Sequence, residues 1–173
     1  MTPSRPPIRA AVLTVSDRCS RGEAIDTSGP ACQALLVARL GATIVDRACV
    51  PDEIDALVAR FRAWSASSAG VDLLVSTGGT GFAPRDLTPE AARRVIEREA
   101  PGLMELARSR CAAKTPLTYL SRGVAGTIGR TLLLTLPGSE RGATETLEAL
   151  LDVLPHAIAS LRAEIDPNDH PNR

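Results

Sequence analysis

The densest group of residues suited to chemistry is a glycine-rich run that ends in an arginine and an aspartate. It reads Thr77-Gly78-Gly79-Thr80-Gly81-Phe82-Ala83-Pro84-Arg85-Asp86. Its glycines can adopt positive φ angles and present successive backbone N–H groups to an anion, and Thr88-Pro89-Glu90 has the composition of a helix start. The run therefore predicts a phosphate cradle. An ordinary glycine-rich turn between a strand and a helix is the alternative.

This run differs from the two common glycine motifs that bind nucleotides. Phe82 follows Gly81, so the run does not end in the Gly-Lys-Ser/Thr of a P-loop. Pro84 stands where the dinucleotide fingerprint has its third glycine. The sequence predicts neither motif.

Strands and helices alternate along the chain in the pattern of an α/β protein. Short β-rich apolar runs predict strands near Ile8–Val15, Thr43–Val50, Val71–Thr77 and Thr131–Leu136. Segments of helical period separate them, which predicts a three-layer α/β/α sandwich with a mostly parallel central sheet. No repeat or linker divides the chain, so we expect one domain over residues 8–164, a flexible N-terminus at 1–7 and a disordered tail at 165–173.

Polar residues follow each predicted strand at the point where it ends. They are Ser16-Asp17-Arg18, Pro51-Asp52-Glu53, the glycine-rich run, and Pro137-Gly138-Ser139. The carboxyl ends of parallel strands share one edge of an open sheet, and ligands bind in the crevice there. We therefore expect the four loops to meet at one site.

The helical segments are less regular in the second half of the chain. Residues 143–161 keep a helical period and predict one long helix that Pro155 bends. Pro101-Gly102 predicts a break between two helices within Ala91–Ala113. The segment Leu117–Thr127 predicts a small β-excursion before the last strand.

Composition excludes several classes of protein. Lys and Arg number 20 and Asp and Glu number 20, and the four aromatic residues are scattered, so nucleic-acid binding is not expected. No apolar stretch approaches the roughly 18 residues that span a bilayer, so we expect no membrane association and a cytoplasmic location. The four cysteines have no metal-ligand or redox spacing, and only two histidines occur, of which His170 lies in the polar tail.

Five segments together resemble the MogA family, which includes the gephyrin G domain and its plant counterpart. The resemblance covers about Ile8 to Arg162, and the central run from Thr77 to Ala91 is its most specific part. The other segments that carry it are Thr14-Val15-Ser16-Asp17, Pro51-Asp52-Glu53, Leu120-Ser121-Arg122 and Leu136-Pro137-Gly138-Ser139.

The resemblance implies a molybdopterin adenylyltransferase of molybdenum cofactor biosynthesis. Such an enzyme transfers AMP from Mg-ATP to the terminal phosphate of molybdopterin and releases pyrophosphate. It also implies a homotrimer. Because the chain has no room for the molybdenum-inserting domain of fused members, we expect a hand-over to a separate molybdenum-inserting protein.

Residue roles follow from the same resemblance. Asp52 and Asp86 match the two aspartates on which the family's activity depends, and carboxylates that face phosphates suit transient Mg²⁺ binding with ATP. Capping of a helix by Asp52 and an Asx turn at Asp86 are the structural alternatives. We expect Ser121 and Arg122 to hold the pterin or its phosphate rather than ATP. The candidate residues for binding molybdopterin or ATP are Ser16, Asp17, Thr77, Gly78, Gly79, Thr80, Gly81, Arg85, Ser121, Arg122, Gly138 and Ser139.

Two other functions fit the same sequence. One is the sister MoaB-type branch, which has the same glycine loop, but Phe82–Thr88 resembles the adenylyltransferase branch closely. The other is a non-catalytic molybdopterin-binding module. Asp52 and Asp86 argue against a pure binding module, because two carboxylates beside an anionic ligand weaken binding unless they serve chemistry.

Overall fold

A six-stranded sheet forms the centre of the computed structural model, which describes residues 6–163. The predicted disordered tail and residues 1–5 of the predicted flexible N-terminus lie outside the described residues. The strands are β1 (Arg9–Val15), β2 (Thr43–Val50), β3 (Leu73–Thr77), β4 (Arg98–Glu99), β5 (Ala125–Ile128) and β6 (Thr131–Leu136), in the spatial order β2-β1-β3-β6-β5-β4. β1, β2, β3 and β6 are parallel, whereas β5 runs antiparallel to both β6 and β4.

Helices cover both faces of this sheet. They are α1 (Asp17–Ser20), α2 (Ser28–Leu40), α3 (Ile54–Ser65), α4 (Thr88–Arg93), α5 (Pro101–Ala112), α6 (Glu140–Glu148) and α7 (Leu154–Leu161). α2, α5, α6 and α7 pack on one face, and α3 and α4 pack on the other. The predicted three-layer sandwich is confirmed.

Successive side chains of the central strands point to opposite faces of the sheet and so contribute to the two hydrophobic cores, one on each face. Leu73 and Val75 of β3 face the helices α2 and α6, while Leu74 between them faces Phe61 of α3. All residues of β3 are buried, as expected for a strand covered on both sides. The four predicted strands are present and begin within two residues of their predicted starts.

The last predicted helix is wrong, because the chain forms two helices there. After α6 the backbone hydrogen bonds span three residues instead of four, from Leu150 N–H to the Leu147 carbonyl and from Val153 N–H to the Leu150 carbonyl. Pro155 then sits in the first turn of α7, where its missing N–H is tolerated. The spacing of the apolar residues is the same whether a proline begins a new helix or bends a single one, so the sequence pattern could not distinguish the two.

Two further boundaries differ from those predicted. α4 ends at Arg93, well before Pro101, and the short edge strand β4 lies between α4 and α5. Pro101 instead opens α5 in its first turn. The predicted β-excursion is a 3₁₀ turn over Pro116–Leu120 followed by β5.

The strand order changes direction at β1. β2 lies on one side of β1, while β3 and β6 lie on the other, so the loops after β1 and β3 diverge above the sheet. Such a switch point opens a crevice at the carboxyl ends of the strands. Within residues 6–163, no helix has the length and apolar character that crossing a bilayer requires.

Candidate active site

The glycine loop after β3 is built so that only glycine fits at its first position. Gly78 has a φ of +109°, and a Cβ there would lie 2.1 Å from the Val15 carbonyl oxygen. Its N–H donates to the Leu136 carbonyl at 3.1 Å. The loop therefore passes directly between the ends of β1 and β6.

Three successive amides of this loop remain available to a ligand. Thr88 donates from Oγ1 to the Gly78 carbonyl at 2.9 Å and from N–H to the Gly79 carbonyl at 3.0 Å, which turns both carbonyls towards α4. The N–H groups of Gly79, Thr80 and Gly81 have no partner among the described residues. The loop thus has the free donors that a phosphate cradle needs.

Asp52 belongs to a network that ties three loops together. Its Oδ2 accepts from the Asp17 N–H at 3.0 Å, and Asp17 Oδ1 accepts from the Asp52 N–H at 3.1 Å. Arg85 donates two hydrogen bonds to the Asp17 carboxylate, from Nε to Oδ2 at 2.5 Å and from Nη2 to Oδ1 at 2.8 Å. The structural alternative for Asp52 is wrong: Glu53 is the N-cap residue of α3, and no side chain caps that helix.

The two ends of this network differ in electrostatics. The Arg85 guanidinium lowers the pKa of Asp17. Burial raises the pKa of Asp52, and the charges of Asp17 and Asp86 raise it further, against the lowering effect of the Asp17 N–H. Asp52 is therefore the carboxylate whose charge costs the fold free energy, a property more common at functional sites than at structural ones.

Asp86 follows the glycine loop and lines the smaller cavity together with Asp52. Its Oδ2 accepts from the Ala83 N–H at 2.7 Å, three residues earlier in the chain, whereas the Thr88 N–H donates to the Gly79 carbonyl, so the Asx turn before Thr88 does not form. A Cβ added at Gly81 would lie 2.8 Å from Asp86 Oδ2, and one added at Gly79 would lie 2.8 Å from Asp52 Oδ1. Both carboxylates thus lie against the loop, and the Oδ1 atom of each accepts no hydrogen bond from the described residues.

Two adjoining cavities open around the loop. The larger has a volume of about 670 Å³ and lies between the glycine loop, the segment before β5, and α6. The smaller has a volume of about 280 Å³ and lies between the loops after β1, β2 and β3. Gly79, Asp86 and Gly138 line both cavities, so they form a shared wall.

Arg122 supports the loop from behind instead of facing either cavity. It donates from Nε to the Gly81 carbonyl and from Nη2 to the Asp86 carbonyl, both at 2.6 Å, and pairs with Glu90. It lines neither of the two cavities. Its guanidinium lies 5.9 Å from the Phe82 ring centroid. The prediction that Arg122 contacts substrate phosphate is not supported by this placement.

The structure divides the other candidate residues into lining and supporting positions. Those that line a cavity are Ser16, Asp52, Gly78, Gly79, Thr80, Gly81, Asp86, Ser121, Gly138 and Ser139. Asp17 and Arg85 hold each other and do not line either cavity, and Thr77 donates to the Pro137 carbonyl at 2.7 Å. Ser139 caps α6 by accepting from the Gly142 N–H, so it serves the helix as well as lining the larger cavity.

Several cavity-lining polar residues were not singled out from the sequence. Lys114, Arg141 and Glu145 line the larger cavity, and Asp26 lines the smaller one. Arg141 and Glu145 are four residues apart on α6, the spacing that puts two side chains on one helix face. That spacing could have been recognised in the sequence as a charged pair on one helix face, but the neighbouring residues do not indicate that this face borders a cavity.

Magnesium fits the two carboxylate donors beside the glycine loop. Asp52 Oδ1 and Asp86 Oδ1 are hard oxygen atoms without partners among the described residues, and Mg²⁺ takes one or two carboxylates together with substrate phosphates and water. Within residues 6–163, no group of three or more His, Cys, Asp or Glu side chains is placed to hold a metal ion. Binding would therefore depend on phosphate oxygens from a substrate.

Comparison with known proteins gives consistent matches over most of the chain. The profile of a family described as a probable molybdopterin binding domain matches residues 11–156. The molybdenum cofactor synthesis protein cinnamon of Drosophila melanogaster is 40% identical over 151 residues, covering 87% of this chain but only 25% of the fly protein. The molybdopterin adenylyltransferase of Helicobacter pylori strain J99 is 37% identical, and the match covers 87% of this chain and 86% of that enzyme.

A solved structure is similar along the same length. It is the molybdopterin biosynthesis enzyme MoaB from Thermus thermophilus, with a TM-score of 0.84 and 48% sequence identity. The match covers 90% of this chain and 97% of that one. The chain thus spans most of two bacterial relatives, although it spans only a quarter of the fly protein.

Proposed function

Because the chain belongs to the molybdopterin binding domain family, we propose that it is an adenylyltransferase that moves AMP from ATP to the terminal phosphate of molybdopterin. The resemblance predicted from the central run is thereby confirmed at the level of the family. The observation that supports the proposed activity is the shared wall. Asp86 in this wall and Asp52 beside it, in the smaller cavity, both lie against the loop that carries three free amides.

The wall has the groups that joining two anions requires. The amides of Gly79, Thr80 and Gly81 would bind a phosphate, and Asp52 and Asp86 would hold magnesium against phosphate oxygens. When bound, magnesium would neutralise charge on the triphosphate and so stabilise the transition state. Arg85, Asp17 and Arg122 position these groups by fixing the loops.

The proposed transfer balances as a phosphoryl substitution. An oxygen of the terminal phosphate of molybdopterin forms a bond to the α-phosphorus of ATP. The bond from that phosphorus to its bridging oxygen breaks, and the electron pair leaves with pyrophosphate. Catalysis of this kind consists mainly of positioning and charge stabilisation, which rigid loops supply.

A MoaB-type function is the second candidate, because the structure of MoaB from Thermus thermophilus is 48% identical to this chain. A non-catalytic molybdopterin-binding module remains a further alternative. The binding module predicts molybdopterin binding without AMP transfer.

The test is a single-turnover assay with purified molybdopterin, ATP and magnesium. Formation of adenylylated molybdopterin with equimolar pyrophosphate supports the proposal. Molybdopterin binding without either product would refute it and favour the non-catalytic binding module.

Three finer expectations accompany the proposed activity. We propose a homotrimer, a hand-over of the product to a separate molybdenum-inserting protein, and a cytoplasmic location. Two aromatic side chains that line neither cavity are more than half exposed, as an assembly surface would require: Phe82 and Tyr119.

A further inference from the structure

The larger cavity has a charged wall that the proposed transfer leaves unused. Glu145 of α6 lines this cavity beside Lys114 and Arg141. Its Oε1 accepts from Arg141 Nε at 3.0 Å and lies 3.5 Å from Lys114 Nζ. Its Oε2 accepts no hydrogen bond from the described residues, and only 18% of the side chain is exposed.

This carboxylate is held ionised and oriented. Arg141 first, and then Lys114, lower the pKa of Glu145. An ionised carboxylate can only accept hydrogen bonds, and a largely buried one is stabilised by donors that replace water. The cavity wall is therefore suited to a ligand that presents N–H groups to Oε2.

We propose that Glu145 binds the pterin ring of molybdopterin through the N–H donors of its 2-amino-4-oxopyrimidine edge. That edge carries a ring N–H beside an amino group, so two donors can meet one carboxylate. Adenine offers an amino group beside a ring nitrogen that is itself an acceptor, which the carboxylate would repel. The inference rests on the proposed function, because that function supplies the pterin.

The position of Glu145 suits the length of the substrate. Glu145 lies six residues after Ser139, about 9 Å along the helix at 1.5 Å per residue. Helical side chains tilt towards the N-terminus, so Glu145 leans towards the shared wall at Gly138. A pterin bound there would extend its phosphate-bearing arm to the wall, and the exposed side chains of Leu117 and Leu120 could cover the ring.

The test measures dissociation constants for two fluorescent probes, pterin and lumazine, which has an oxo group in place of the 2-amino donor. Wild-type protein should bind pterin about tenfold or more tightly than lumazine, the scale of one charge-assisted hydrogen bond. Glu145→Gln should weaken pterin binding by about tenfold and bring the two constants together. Glu148→Gln is the matched control, because Glu148 lies on the same helix, is exposed and lines neither cavity.

The comparison of the two probes on wild-type protein does not depend on any variant folding. Equal affinity for pterin and lumazine, or no measurable pterin binding, would overturn the inference. A Glu145→Gln variant that loses AMP binding while keeping pterin binding would also overturn it, because the carboxylate would then serve the nucleotide. Failure of AMP transfer with retained discrimination between the probes would instead refute the proposed activity alone.

Discussion

Replacement of Asp52 by Asn should separate the stability of the fold from the proposed activity. The amide oxygen of Asn can still accept from the Asp17 N–H, which Asp52 Oδ2 now does at 3.0 Å. The amide nitrogen then takes the place of Oδ1 beside the glycine loop. The shape is kept, and the change removes one negative charge from a half-buried position.

The sign of the stability change follows from the pKa. Burial raises the pKa of Asp52, so the folded protein binds this proton more tightly than the unfolded chain does. The protonated Asp52 side chain therefore contributes stability that is fully present below the unfolded pKa and is lost as the pH rises through the folded pKa. At pH 7 the wild-type protein carries that cost, and Asp52→Asn should melt at the same temperature or a higher one.

Activity should change in the opposite direction. Loss of one anionic magnesium ligand removes several kcal/mol of charge stabilisation, and about 2.7 kcal/mol already corresponds to a hundredfold loss of rate. Single-turnover AMP transfer across a magnesium titration measures this loss, with melting at pH 5 and pH 7 as the stability readout. Asp55→Asn is the control, because the Asp55 side chain is fully exposed on the neighbouring helix. Near-normal transfer by Asp52→Asn, or a clearly lower melting temperature at pH 7, would refute the reasoning.

Three other outcomes can be checked in the same preparations. Gly78→Ala should lower the melting temperature by more than about 4 °C, because the new Cβ would lie 2.1 Å from the Val15 carbonyl oxygen and backbone strain would cost about 1–3 kcal/mol more. Gly41→Ala is the control and should lower the melting temperature less, because Gly41 has a φ of +59° but lies in open space. Arg122→Ala should cost about 1.5–3 kcal/mol of stability and weaken nucleotide and molybdopterin binding together, because Arg122 holds the loop at Asp86. Selective loss of molybdopterin binding would instead support a direct contact between Arg122 and molybdopterin. Light scattering should return about three times 18.2 kDa, and a monomer at micromolar concentration would contradict the proposed trimer.

Local pattern and elementary topology determined where the candidate site lies. Buried strands are recognised from short apolar runs, and the loops after parallel strands must share one edge of the sheet, so Asp52, Gly78 and Gly138 could be placed together from the sequence. The glycine loop was equally clear, because three glycines within four residues after a predicted strand are typical of a backbone that adopts positive φ angles. These inferences need no knowledge of distant contacts.

Tertiary structure alone decided what the charged side chains do. Arg85 and Arg122 have the chemistry of phosphate ligands, but their partners lie 68 and 32 residues away in the chain, and those partners are Asp17 and Glu90. Glu145 has the spacing of an ordinary surface ion pair with Arg141, yet its helix face borders a cavity. A long side chain acts on whatever the packing of remote elements brings within its reach, and local sequence does not encode that neighbour.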